Sequence, residues 1–298
     1  MNGKTPAERR RMAAVGMFDG VHRGHRSLMA ELGIRAAERG LEPMAFTFTS
    51  HPMATIAPDR CPPMLSTVDE RKRLLTEAGA DEVVALDFGA VRHLTAQEFM
   101  AMLHSRYGVD ALLMGFNNHI GSDRLRGEEA YRHAGCEAGV EVLFGTEYTG
   151  EGAPCSSSIV RSDIMAGRVD CAALRLGRNY TIDGIVVSGK QLGRTIGFPT
   201  ANIKDDGTLL PDTGVYAADT DVDGTAYRTI VNIGRRPTVD ADGAPITVEA
   251  HLIGYSGDLY GRTLRLELLR RLRDERRFAS VDELAAQLHT DADAALSL

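Results

Sequence analysis

Gly16-Met-Phe-Asp-Gly-Val-His-Arg-Gly-His25 gathers glycines, one acid and a histidine pair in a single short run. His22 and His25 are three residues apart, so on the first turn of a helix they can face one ligand. Two imidazoles can donate hydrogen bonds to phosphoryl oxygens and stabilise charge that builds there. Gly20 and Gly24 let backbone approach a ligand closely. A helix N-terminus adds unpaired N–H groups and a positive dipole end, which suit phosphate. A lone histidine is more often a surface or capping residue, but a glycine-spaced pair at the first strand-to-helix turn favours the functional reading. Two common phosphate loops, G-x-x-x-x-G-K-[ST] and G-x-G-x-x-G, are absent. Gly189-Lys190 comes nearest to the first, but Gln191 follows in place of a Mg²⁺-holding hydroxyl.

A second constellation runs from Gly189 to Ile203. Gly189, Gly193 and Gly197 suggest a loop that closes over a ligand, and Pro199 fixes the backbone before Thr200 and Asn202. A Thr hydroxyl and an Asn carbonyl are oxygen ligands of the kind Mg²⁺ takes beside phosphate. Alone, this run also reads as an exposed turn. Glu249 alternates with Val248 and Ala250, so on a strand it can point into a site while its neighbours pack; alone, a strand glutamate reads more often as a solvated face. The serines at 156–158 read alone as a loop or a helix cap. Cys61, Cys136, Cys155 and Cys171 form no C-x-x-C pair, and His133 before Cys136 has no second ligand pair near it. A zinc site is unsupported, and reduced cytoplasmic thiols are expected.

The elements that must position these residues alternate in the first half. Strands are predicted over Ala13–Phe18, Met44–Phe48, Glu82–Phe88, Ala111–Met114 and Val140–Phe144. Helices are predicted over Arg26–Arg39, from the Thr67–Glu70 capping box to Gly79, from the Thr95–Glu98 box to Tyr107, and over Glu128–Glu137. Such alternation implies βαβ units and a parallel sheet, with ligands at the carboxyl edge of its strands. Near residue 178 the rhythm changes. Tyr180–Val187, Val215–Val222, Tyr227–Ile233, Thr247–Ile253 and Thr263–Leu272 are β-rich, and Asp223-Gly224 marks a two-residue hairpin turn. A final helix is capped at Ser280–Glu283, with Val281, Leu284, Ala285 and Leu288 on one face. Antiparallel strands closed by one helix read as a small barrel or sandwich.

Composition sets the frame. At 298 residues two domains are favoured, with the boundary placed at 170/171. Hydrophobic residues at 43% and charged residues at 25% exclude disorder, collagen and coiled coil as the main state. No apolar run approaches the ~18 residues of a membrane span, and the N-terminal run has no secretory pattern. The net charge, 34 − 41 = −7, argues against a nucleic-acid surface.

The motifs resemble those of bacterial bifunctional riboflavin kinase/FAD synthetases. Gly16–His25 is similar to that family's H-x-G-H nucleotidyltransferase motif, Thr47-Phe-Thr-Ser-His-Pro52 to its T-F-x-x-H-P, and Cys155-Ser-Ser-Ser-Ile-Val-Arg161 to its S-S-[ST]-x-I-R with Val160 for Ile. Gly189–Ile203 resembles the kinase motif G-R-x-[IL]-G-F-P-T-A-N. Gly214–Tyr216, Asn232–Gly234, Arg236–Thr238, Val248–His251, Leu259–Gly261 and the spaced Arg273, Glu275 and Phe278 agree as well. One stretch departs: where the family has G-x-D-F-x-F-G, this chain has Gly115-Phe-Asn-Asn-His-Ile-Gly121.

The resemblance, covering about Ala13 to Asp291, implies a Rossmann-like α/β nucleotidyltransferase domain over 1–170. Over 171–298 it implies a small antiparallel β-barrel with a terminal helix that carries riboflavin kinase. In the first domain it assigns Gly16, Phe18, Asp19, Gly20, His22, Gly24, His25, Ser157, Ser158 and Arg161 to ATP, with His22, His25 and Arg161 catalytic. His51, Pro52 and Asn117 are assigned to the flavin. In the second it assigns Gly189, Gly193, Arg194, Gly197, Pro199, Thr200 and Asn202 to ATP, with Thr200 and Asn202 also on Mg²⁺. Arg236, Glu249, Arg273 and Phe278 are assigned to the flavin, and Glu249 is the general base. Riboflavin, FMN and ATP are the expected partners, FMN and FAD the products, without nucleic acid or membrane. The expected setting is the cytoplasm, as a monomer or weak homo-oligomer. Two rivals stay open: a kinase whose first site lost FMN binding through the Asn117–Ile120 change, and a flavin sensor without turnover.

Overall fold

A computed structural model of the chain describes residues 10–116, 118–150, 155–189, 197–235 and 246–298. Two compact units emerge, Met1–Ser156 and Ser157–Leu298. The sequence pattern places the boundary later, at 170/171, because the segment before it is helical and continues the pattern of the first half.

The first unit contains β1 (Arg11–Val15), α1 (Arg23–Arg39), β2 (Glu42–Phe48), α2 (Pro52–Ile56), α3 (Val68–Glu77), β3 (Glu82–Leu86), α4 (Phe88–Val91), α5 (Ala96–Tyr107), β4 (Val109–Met114), α6 (Glu128–Ala138) and β5 (Glu141–Phe144). Its strands form one parallel sheet in the order β3-β2-β1-β4-β5. Every residue of central β1 is buried, since alternate side chains feed two opposite cores. Met12 and Ala14 join Met29, Leu32 and Leu74, whereas Ala13 and Val15 join Phe99, Met100 and Tyr131. That two-sided burial explains the near-continuous apolar strands. The Thr95 capping box is complete: Thr95 Oγ1 accepts from Glu98 N at 3.2 Å, and Glu98 accepts from Thr95 N at 2.8 Å. Strand order reverses between β1 and β4, and this switch point is where an open α/β sheet leaves a crevice for ligand.

The second unit contains α7 (Ser157–Met165), α8 (Val169–Leu176), β6 (Tyr180–Val187), β7 (Ala201–Asp205), β8 (Gly214–Val222), β9 (Thr225–Arg235), β10 (Ile246–Leu252), β11 (Thr263–Arg273) and α9 (Val281–Leu296). The strands close into an antiparallel barrel in the order β10-β7-β6-β11-β8-β9, which leaves no free edge. Asp223 and Gly224 both have positive φ, 55° and 82°, as a two-residue turn between β8 and β9 requires. The buried face of α9 runs through Leu284, Ala285 and Leu288, as predicted, but starts after Val281. Val281 is exposed, and the deepest positions are Asp291 and Ala295. Ala295 packs on Val215, Ala217 and Ile230, and Asp291 pairs with Arg273 at 2.8 Å. An ion pair near the end of the helix, invisible to an apolar count, thus joins the apolar contacts on this face.

Asp163 of α7 is buried and takes both Arg168 and Arg175 at 2.8 Å. Burial alone would raise its pKa, but hydrogen bonds from Arg175 and Arg168 hold it below the ordinary aspartate value. This cluster belongs to the barrel's own unit. A chain spanning Ser157–Leu298 is therefore expected to melt in one cooperative transition by circular dichroism. A chain beginning at Cys171 lacks Asp163 and should melt at least ~5 °C lower. Equal melting temperatures would place α7 outside the unit's stabilising structure.

Candidate functional site

At the carboxyl end of β1 the chain makes a tight turn before α1. Phe18, Gly20 and Val21 have φ of 51°, 75° and 39°, and Val21 N donates to Phe18 O at 3.0 Å. Positive φ at Phe and Val is strained, at about 1–3 kcal/mol each, and persists only where surroundings enforce it. Here Phe18 and Val21 are buried. Thr47 Oγ1 of β2 donates to Met17 O at 2.9 Å. Asp19, expected beside ATP, turns its carboxylate into the protein. It accepts from Leu65 N at 3.0 Å, from Ser66 N at 3.2 Å and from Ser66 Oγ at 3.2 Å, while Gly20 N donates to Ser66 Oγ at 3.0 Å.

The helix begins three residues earlier than predicted because His22 is its N-cap, Nδ1 accepting from His25 N at 3.4 Å. With Nδ1 acting as acceptor, a neutral His22 carries its proton on Nε2. The two histidine rings stack at 3.7 Å, and Phe18 meets His25 edge-on at 5.1 Å. The enclosed Nδ1 of His25 has no hydrogen-bond partner, which leaves Nε2 as the useful donor of that ring also. Burial first, and the neighbouring His22 second, push the His25 pKa well below the ordinary histidine value. Two stacked imidazoles at a helix N-terminus are an arrangement that suits an anion.

Across the switch point, the stretch that departs from the family pattern has clear local jobs. Asn118 Nδ2 donates to Val15 O at the end of β1. Ile120 is buried in the core, and its carbonyl accepts from Tyr131 Oη at 3.3 Å. Phe116 is 62% exposed, so an aromatic face remains at this edge. His51 caps α2, with Nδ1 accepting from Met53 N at 3.1 Å, and Pro52 is the first helical residue. Ser157, Ser158 and Arg161 lie on α7 of the second unit, where Arg161 is buried. Asn117, Gly193, Arg194 and Arg236 lie outside the described residues.

The barrel aligns its expected site residues in one lateral row. The register pairs Arg273 with Val215, Val215 with Asn232, Asn232 with Glu249, Glu249 with Asn202, and Asn202 with Val187. Val248 and Ala250, on either side of Glu249, are buried, so alternation turns Glu249 to the other face. Thr200 lies just before β7, two residues from Asn202. Thr200 and Pro199 line a cavity of about 350 Å³ that also takes in Leu252, Tyr255, Asp258 and Tyr260. Pro199 O is held by His251 Nδ1 at 2.8 Å. Gly189 crosses the Asn202 amide so closely that a Cβ there would lie 2.0 Å from Nδ2. Arg273, expected at the flavin, commits Nε and Nη2 to Asp291 and Nη1 to Asp274 O. Its guanidinium carbon lies 5.7 Å from the centre of the Phe278 ring.

Comparison with known proteins matches both units. A family model described as FAD synthetase matches residues 4–159, and one described as riboflavin kinase matches residues 176–298. A bifunctional riboflavin kinase/FMN adenylyltransferase of Pseudomonas fluorescens is 37% identical, covering 98% of this chain and 94% of its own. The chain belongs to the bifunctional riboflavin kinase/FMN adenylyltransferase family. The Escherichia coli (strain K12) member is 37% identical over 93% of this chain and 89% of its own. A crystal structure from Streptococcus pneumoniae, described as a macrolide-efflux protein, superposes with a TM-score of 0.86 at 32% identity over 97% of this chain and 95% of that one. No described helix of the present chain is long and apolar enough to cross a membrane.

Within this riboflavin kinase/FMN adenylyltransferase, three sets of residues escaped the sequence reading. Asn232 flanks Glu249 in the row; it lay in a matched run, but a lone strand asparagine carries no signal. Tyr255–Asp258 walls the barrel cavity just before the matched run Leu259–Gly261, and its composition reads as an ordinary turn. Ser66 and Arg71 hold Asp19, and a serine and an arginine around a capping box read as helix-start residues.

His25 gives the adenylyltransferase unit a pH signature. An unfolded His25 binds a proton near pH 6.5, whereas the folded one waits for lower pH, so stability rises with pH across that window. The unit's melting temperature should decline as pH falls from about 6.5 towards 5, and His25→Gln should flatten that decline. Thermal melts of both proteins across the range decide the matter, and parallel curves would contradict it.

Proposed function

We propose that the two activities of the family are divided between the two units, each at the site described above. Riboflavin and ATP give FMN and ADP at the barrel; FMN and ATP give FAD and pyrophosphate at the parallel sheet. The observation that carries this reading is that His22 and His25 lie at the switch point of the first unit, whereas Asn202 and Glu249 are paired neighbours in the barrel of the second, with Thr200 just before Asn202.

In adenylyl transfer an FMN phosphate oxygen attacks the α-phosphorus of ATP, the bond to the bridging oxygen breaks, and pyrophosphate leaves. No protein nucleophile takes part. The work of the chain is positioning and charge stabilisation. N–H groups at the start of α1 hold phosphate, and Nε2 of His22 and His25 donate to the phosphoryl oxygens as charge grows. Gly16, Phe18, Gly20 and Gly24 shape the backbone around the nucleotide, and Asp19 fixes that shape from behind. Ser157, Ser158 and Arg161 are assigned to the ATP phosphates on their motif. His51 and Pro52, with the loop after β4, are assigned to the flavin.

In the kinase Glu249 takes the proton of the riboflavin 5′-hydroxyl as its oxygen attacks the γ-phosphorus and ADP leaves. Thr200 and Asn202 suit Mg²⁺: both offer oxygen donors, and only a glycine at 189 fits against the Asn202 amide, where a Cβ would clash. Mg²⁺ held there supplies charge neutralisation for the phosphates. Gly189, Gly197 and Pro199 shape the nucleotide loop, and Phe278, with Arg273 beneath it, is assigned to the flavin ring. The four cysteines are free thiols, which supports a cytoplasmic setting.

His25→Ala should lower FAD formation by roughly a hundredfold, the usual cost of one transition-state donor, and leave FMN formation intact. Chromatographic resolution of flavins over time measures both; wild-type FAD formation would remove the switch-point site from the reaction. Glu249→Gln should lower riboflavin phosphorylation by about 10²–10⁴-fold, with Mg·ATP binding and FMN adenylylation retained. A near wild-type rate would assign the base to another group, and weakened nucleotide binding with a lowered melting temperature would make Glu249 structural.

A further inference from the structure

Arg71, on α3, heads the fully buried side chains by size and is 1% exposed. Its Nη2 donates to Phe48 O at 2.7 Å, at the end of β2. Its Nη1 lies 4.0 Å from Asp19 Oδ1, and the Asp19 side chain is 1% exposed as well. Nε and Nη1 are enclosed without a hydrogen-bond acceptor. Burial depresses the Arg71 pKa, and only Asp19 works against that. An arginine kept here with donors unspent is a costly filler, since an apolar side chain would occupy the space without desolvating a charge. Its use must lie in what it joins.

Two segments meet at this one guanidinium, and each leads to the adenylyl-transfer site. Asp19 and Gly20 belong to the phosphate turn that ends at His22. Phe48 O sits three residues before His51, which caps α2. Leu65 and Ser66, bonded to Asp19, lead into α3 itself. We infer that Arg71 is a positioning residue for adenylyl transfer: by holding Asp19 and the Phe48 carbonyl together, it fixes the distance between the nucleotide turn and the flavin-side segment. The inference rests on the assignment of Gly16–His25 to adenylyl transfer.

The test is steady-state FAD synthesis by the full chain, with ATP and FMN varied separately and riboflavin phosphorylation measured on the same samples. Arg71→Met keeps bulk and removes both ties. The KM for ATP and the KM for FMN should each rise about tenfold, with kcat changed less than about threefold and the kinase rates unchanged. Arg71→Lys restores a charge beside Asp19 but only one compact donor head, so its KM values should fall between those of Arg71→Met and the native enzyme. A purely structural role would reduce the folded fraction, lowering kcat while both KM values stayed put. Both KM values within about twofold of native in Arg71→Met would overturn the inference. Should Arg71→Met fail to fold, seen as loss of the first unit's melting transition, Ser66→Ala decides. That variant removes the hydroxyl between Asp19 and Gly20, and should raise the ATP KM about threefold while leaving the FMN KM unmoved; an unmoved ATP KM overturns the inference. His25→Ala, run in parallel, separates the failures. If it still makes FAD, the site assignment is wrong; if it does not and Arg71→Met has native KM values, only the role of Arg71 is wrong.

Discussion

Asp19 and Arg71 meet out of water, and a buried charge must find its partners inside the protein. Asp19 finds them in Leu65, Ser66 and Arg71, and removing one partner of such a pair typically costs about 3–5 kcal/mol. This stiffness is what the turn after β1 needs. A phenylalanine and a valine at positive φ would relax if nothing held them, and their burial alone fixes side chains rather than the backbone between them. With Asp19 anchored, the turn delivers His22 to the cap of α1 before any ligand arrives. Donors fixed in advance spend no reorganisation at the moment charge develops.

The second unit reaches the same end differently. A closed barrel has no edge to fray, so a row of side chains across neighbouring strands keeps its spacing by hydrogen-bond register alone. Glu249, Asn202 and Asn232 owe their juxtaposition to that register. Arg273, at the end of the row, is then free to serve as an anchor for α9 through Asp291. Thus one unit relies on a buried ion pair beneath a strained turn, and the other on strand pairing.

The layers of both folds were legible because their signals are periodic. Apolar runs between capped helices announce a parallel sheet, and alternating strands around Asp223-Gly224 announce an antiparallel one. The motif residues were legible where glycine or proline spaced them, as at Gly16–His25 and Pro199–Asn202. What stayed hidden was determined by partners distant in sequence. His22 as a cap falls outside the Ser, Thr, Asp and Asn set that marks helix starts. The short strand Ala201–Asp205 has too few residues to show a period and was read only as part of a loop motif. Asp19 looked like a ligand contact because nothing in the sequence says that Leu65 and Ser66 return to it. Asn118 and Ile120 depart from the family pattern, yet one ties β4's loop to β1 and the other fills core, local roles that the pattern alone does not show.

The anchoring of α9 also orders events in time. The five strands of the first sheet are complete once Phe144 has been made. The barrel, by contrast, pairs Arg273 with Asp291 and packs Ala295 against Val215, so its outer face stays bare until the last turns of α9 emerge. At a synthesis rate of about 5–20 residues per second, roughly 8–30 s separate the two moments. During that interval a nascent chain carries a finished nucleotide-binding sheet and an uncovered β-surface. Ribosomes translating this message would therefore hold chains whose parallel sheet has all its strands while the barrel face under α9 is still open to water.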